Sequence, residues 1–172
     1  MKKNQFVIVG LGLFLIGAGS YFKHDRNSIP PMLDSRIDPQ SVSTAVWNGA
    51  PSDFIPLFSI RGAEFEAIIA DTPALRERGL SGMASLNRDQ AMVFIFERPE
   101  IVGFWMKDVL FSIDMLFVDE NMRVISSARD VSPDTYPEVF YPKAPVKYVV
   151  EFLAGTLDRL GVEDGDIAEI RL

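Results

Sequence analysis

The chain has 172 residues, 48% of them hydrophobic, which suffices for one well-buried core and is too little for two large domains. Its formal charge is -7, and residues 60–172 hold twelve bases against twenty acids, so no nucleic-acid partner is expected for that part. With no cysteine and one histidine, His24, the chain lacks the side chains for disulfides, thiol chemistry, thiolate or multi-histidine metal sites and a Ser-His-Asp triad in the folded part. Neither metal nor cofactor is expected, and an enzyme built on this chain would have to use carboxylates, Lys, Tyr or Ser.

Met1, Lys2 and Lys3 precede an uncharged run over residues 6–22. A helix there spans roughly 25 Å at about 1.5 Å per residue, workable in a thin bilayer. Gly17, Ala18, Gly19 and Ser20 suit signal peptidase, whereas Tyr21, Phe22 and Lys23 suit an interface anchor. Residues 1–22 therefore read as a signal anchor or a signal peptide, with the uncleaved anchor preferred. Either way the rest lies outside the cytoplasm, periplasmic or at the cell surface, and the membrane is a partner. Residues 23–56 form a linker broken by Pro30, Pro31, Pro39, Pro51 and Pro56. Trp47, Phe54, Ile55, Leu57 and Phe58 are apolar enough to dock as an extended arm.

Residues 57–172 carry the globular domain. Around the Arg61-Gly62 turn, acids alternate with apolar residues at period two, as in a hairpin with one wet face. Thr72 as N-cap, Pro73 at the first helical position and Gly79 as stop predict a short helix. Residues 91–96 read as a central strand buried on both faces, followed by strands over 102–106 and 113–118 and, after a turn at Asp119, over 123–128. Residues 131–145 form a long loop with four prolines and with Tyr136, Phe140 and Tyr141, expected to be a packed lid. A strand over 146–153, a short helix to Leu160 and a last strand over 167–172 complete the pattern. The fold class is mainly β (α+β): a compact, mainly antiparallel, barrel-like domain of about seven strands with two short helices.

Six spaced motifs in this domain resemble domain-of-unknown-function family 192 over roughly residues 62–172. They are Arg78-Gly79-Leu80; Ala91-Met92-Val93-Phe94-Ile95-Phe96; Phe104-Trp105-Met106-Lys107-Asp108; Ile113-Asp114; Val150-Glu151 with Ala154-Gly155; and Gly165-Asp166. The resemblance implies a compact β-barrel-like fold, commonly exported, with no established activity. Ser81 and Met83 stand where the family usually has Met and Arg, Ala91 replaces a usual Gly, and Asp108 a usual Asn.

Polar residues inside strand-forming runs mark the candidate site. Trp105, Lys107 and Asp108 end one strand and Asp114 sits in the next, so they are expected to converge at one rim with Tyr136 and Tyr141 of the loop. The donors expected for Asp114 are Lys107 and the backbone N–H groups of residues 107–110. Glu151, between Val150 and Phe152, reads either as a structural partner of Arg78 or as an acid with a raised pKa. The leading functional expectation is a non-catalytic extracytoplasmic module binding a small molecule, glycan or peptide at this rim. Its rivals are a hydrolase of cell-envelope polymers using Asp114 and Glu151, which requires both carboxylates in one cleft, and a purely structural envelope partner.

Overall fold

A computed structural model describes residues 7–9 and 54–172. The remainder of the expected anchor and most of the expected linker, with His24 and Trp47, lie outside the described residues. Within the stretch expected to be an anchor, β1 (Val7–Val9) is extended. A Val-Ile-Val triplet serves a strand as readily as an apolar helix. No helix among the described residues is long and apolar enough to cross a membrane.

β2 (Leu57–Ile60) and β3 (Ala63–Ala70) form the expected hairpin, turning through Arg61 and Gly62, both at positive φ. Period-two alternation is visible in β3, where Phe65 and Ala67 are buried and Glu64 and Glu66 exposed. Helix α1 (Pro73–Arg78) follows, with the Thr72 hydroxyl accepting from the Leu75 N–H at 3.3 Å. It carries the chain across to β4 (Gln90–Glu100), which lies parallel to β3. Next come β5 (Val102–Phe104), β6 (Ile113–Val118), β7 (Val124–Val131) and β8 (Val146–Leu153). Helix α2 (Thr156–Leu160) and β9 (Ala168–Arg171) close the chain.

Seven strands form one sheet in the order β7-β6-β8-β4-β3-β2-β9, antiparallel except for β3 with β4. The sheet curls into a half-barrel whose two edge strands meet at one end. There the Val124 N–H donates to Asp166 O at 2.9 Å, Gly165 N–H to Val124 O at 2.8 Å and Ala168 N–H to Met122 O at 2.8 Å.

β5 departs from expectation, because it belongs to a separate two-stranded pair with β1 rather than to the main sheet. The reason lies in the loop 131–145, whose Phe140 exchanges backbone hydrogen bonds with Phe104 at 2.9 and 2.7 Å. Gly103 permits that approach: a Cβ there would come within 2.6 Å of Val139 Cγ1 and 2.7 Å of Tyr141 Cε1. The loop is therefore packed, as expected, with Val131 and Pro142 buried.

Two apolar clusters result. The concave face of the half-barrel holds Phe58, Phe65, Val93, Leu116, Val150, Phe152 and Leu157. The opposite face of β4, β6 and β8 holds Met92, Phe94, Met115, Phe117 and Val149 beneath Phe104 and Met106. Burial on both faces explains why all six residues of β6 are buried and why its sequence is almost uninterruptedly apolar.

Candidate functional site

Asp114 and Glu151 interrupt this apolar interior, being 1% and 5% exposed. β6 and β8 pair so that Asp114 stands opposite Phe152 and Met115 opposite Glu151. Cross-strand partners share a face, so Asp114 lies with Phe152 on the concave side and Glu151 with Met115 on the outer side. The two carboxylates do not share a cleft.

Asp114 is a clamp. Its Oδ1 accepts from the Asp130 N–H at 2.8 Å and its Oδ2 from the Leu157 N–H at 2.9 Å. Asp130, at positive φ, sits where β7 bulges against β6, and Leu157 lies in the first turn of α2. The expected donors from residues 107–110 are replaced by these two, because strand alternation turns the carboxylate away from that connection. Asp114 thus leaves the expected rim.

Glu151 opens onto a different environment, a narrow cleft on the outer face. Its walls are Phe94, Phe104 and Val109, and α1 with the residues after it supplies Arg76, Glu77, Arg78, Gly79, Leu80 and Ser81. Trp105 and Lys107 complete it. The free space is about 20 Å³, enough for about one water-sized group. Phe94 and Phe104 meet edge to face at 5.0 Å, and Gly79 lies so close that a Cβ there would stand 3.3 Å from Phe94 Cζ. The wall from α1 is fastened to the β5–β6 connection by Ser81 Oγ donating to Lys107 O at 3.0 Å and Gly82 N–H to Asp108 O at 2.9 Å. Arg76 is committed to the scaffold, donating to Ile95 O at 2.8 Å with its guanidinium 5.2 Å from the Phe96 ring centre.

Two features give this cleft chemical character. Burial pushes the Glu151 carboxyl up to about 8 from an ordinary 4.5, since an ionised form would be poorly solvated among apolar walls. The expected pairing with Arg78 is not formed, and no ion pair reaches Glu151 among the described residues; the Arg78 side chain stays at the exposed rim. The Trp105 indole Nε1–H is buried and lacks an acceptor among the described residues. Tyr136 from the loop packs on Trp105, ring centres 5.7 Å apart and tilted by 66°.

The structure therefore joins Trp105, Lys107, Arg78 and Glu151, with Tyr136 attached through Trp105. Tyr141 packs near Gly103, and Asp108 is an exposed residue at positive φ, a conformation that Asp and Asn tolerate better than most. Sequence reading missed Glu77 and the aromatic wall; the parity of Phe94 and Phe104 within their strands was the available signal. Elsewhere, a wider depression of about 690 Å³ is lined by Glu64, Phe65, Arg88, Asp89 and Arg159 among others. Among the described residues, no three His, Cys, Asp or Glu stand where they could hold a metal.

Fold and cleft define a small curled half-barrel with an acid-floored, aromatic-walled cleft on its outer face. The chain belongs to domain-of-unknown-function family 192, described as an uncharacterized family, whose model matches residues 57–170. It is 38% identical over 101 residues to a UPF0127 protein of Thermococcus sibiricus, covering 57% of this chain and 61% of that one. With a UPF0127 protein of Thermococcus gammatolerans it shares 29% over 99 residues, covering 58% and 62%. The match thus spans less than two thirds of those relatives' length. Among solved structures, a Sinorhizobium meliloti protein provisionally labelled a transcription regulator superposes with a TM-score of 0.62 at 30% identity, covering 67% of this chain and 91% of that one. A Novosphingobium aromaticivorans protein of unknown function gives 0.61 at 27%, covering 67% and 82%.

Proposed function

We propose that this protein is an extracytoplasmic, membrane-held, non-catalytic module that binds a small molecule, glycan or peptide at the Trp105 cleft. The buried Trp105 N–H without an acceptor carries the reading. An unsatisfied buried donor costs about 1–3 kcal/mol, and a ligand acceptor would recover that cost on binding. Tyr136, exposed on the loop and packed edge-on against Trp105, adds an aromatic surface beside it. The separation of Asp114 from Glu151 removes the pair on which a hydrolase was premised. The regulator label on one structural relative finds no echo in an acidic domain, whose charge repels a phosphate backbone.

Export and anchoring rest on the basic head and apolar run of residues 1–22. A segment paired to β5 as Val7–Val9 does not span a bilayer at the same time, so the two placements are alternatives. Alkaline extraction of membranes from the expressing cell separates them: retention in the pellet supports the anchor, and full release removes it.

Binding is tested by screening a ligand library against Trp47→Phe protein, in which Trp105 is the one tryptophan and can be excited selectively at about 295 nm. Hits confirmed by calorimetry should weaken about tenfold in Trp105→Phe, which keeps an aromatic ring and loses the N–H. Hits indifferent to that change, in a protein with unaltered circular dichroism, reject the site. If no ligand emerges at all, co-purification from solubilised membranes would favour a structural envelope partner.

A further inference from the structure

The cleft offers hydrogen-bond donors and positive charge, and this bias names a ligand chemistry. We propose that it captures a ligand's terminal carboxylate between the Trp105 indole N–H, the Glu151 carboxyl and the Arg78 guanidinium. The inference deepens the binding reading above and rests on it.

Trp105 Nε1 can only donate, and it is buried without an acceptor among the described residues. Arg78, at the exposed rim, presents a planar fork suited to two carboxylate oxygens, and its side chain makes no ion pair among the described residues. Glu151 at the floor keeps its proton at neutral pH and so acts as an O–H donor, because desolvation raises its pKa to about 8. A carboxylic acid facing a carboxylate shares one proton in a short, charge-assisted hydrogen bond, whereas two ionised carboxylates repel.

The charged residues that line the cleft with Glu151 are Arg76, Glu77 and Arg78 from α1 and Lys107 from the β5–β6 connection. Its cross-strand neighbours Met92 on β4 and Met115 on β6 carry no charge, and Phe104 and Trp105 line the same cleft. Arg78, whose side chain makes no ion pair among the described residues, disfavours an amine ligand at the rim. Free space of about 20 Å³ holds about one oxygen-sized group, so one carboxylate oxygen enters while the rest of the ligand stays at the rim beside Arg78.

The test uses the full chain carrying Trp47→Phe, with N-acetyl-trialanine, its C-terminal amide and propionate as probes, at about pH 6 and about pH 9.5. The acid peptide should bind at the lower pH, its amide about tenfold more weakly, and the acid about tenfold more weakly again at the higher pH, where Glu151 is ionised. Glu151→Gln, which keeps a neutral donor, should retain binding and lose the pH dependence. Arg78→Ala, an exposed change that spares the core, should weaken the acid several-fold and leave the amide unaffected. Tighter binding of the peptide than of propionate assigns chain ends as the source of the carboxylate, and the reverse assigns small free acids. Equal binding of acid and amide, or undiminished binding at the higher pH, overturns the carboxylate inference. If ligands of other chemistry still depend on Trp105, that failure leaves the binding module standing; if nothing binds, both fall.

Discussion

Asp114 and Glu151 sit on adjacent strands of one sheet, one position apart in register, both almost inaccessible to solvent. On the concave face, Asp114 receives two backbone N–H groups, one from the β7 bulge and one from α2. On the outer face, Glu151 receives no ion pair among the described residues, and burial raises its pKa. The same side-chain chemistry in the same kind of strand thus yields a clamp on one side and a reservoir of unspent hydrogen bonding on the other. What separates them is whether the opposing segment presents free backbone donors, as a bulge and a helix start do, or aromatic rings.

The largest effect is expected from Asp114→Ala. It orphans the Asp130 and Leu157 N–H groups and should cost about 3–5 kcal/mol, lowering the melting temperature by on the order of 15 °C. Asp114→Asn keeps one acceptor and should lose about half as much; thermal melts by circular dichroism measure both. Equal stability of all three proteins would mean that the clamp carries no weight.

Glu151 should behave in the opposite way. Its pKa is higher folded than unfolded, so the folded state holds the proton more tightly between about pH 4.5 and about pH 8. The stability it contributes is present in full below that window and is lost as pH rises through it. Glu151→Gln removes this dependence, so denaturant titrations should find it similar to the parent at about pH 4 and on the order of 2–4 kcal/mol more stable at about pH 9. A variant that tracks the parent at both values would show that Glu151 ionises as it does in water.

Smaller effects probe the walls. Gly103→Ala should cost about 1–3 kcal/mol, because its methyl meets Val139 and Tyr141 and pushes the loop outward. Proteolysis within 131–145 should then accelerate. Tyr136→Ala should cost about 0.5–1.5 kcal/mol in a double-mutant cycle with Trp105→Ala, the value of one aromatic pair.

Much of this domain is legible in the sequence because local signals and global fold agree. Thr72, Pro73 and Gly79 bracket α1, and the bounds of β6 and β8 follow the apolar runs. The two acids were equally visible, each flanked by apolar neighbours. Their separation was not, because it depends on the register of β6 against β8, strands that pair across an intervening hairpin partner and loop. β5 was misplaced for a related reason: nothing in Val102, Gly103 and Phe104 reveals that a segment nearly forty residues on will lie against them. The cleft itself joins α1, β5 and β8, so its composition is a property of the folded topology.

The Asp114 clamp also bears on how fast the domain comes apart. Its two bonds bridge sequence separations of 16 and 43 residues and require β6, the β7 bulge and α2 to be in place together. If that contact closes only once the strands have paired, its loss shortens the lifetime of the native state far more than it delays folding, which folding and unfolding rates of Asp114→Asn against denaturant would measure. A single aspartate would then act as a latch on the half-barrel and on the cleft at its far side.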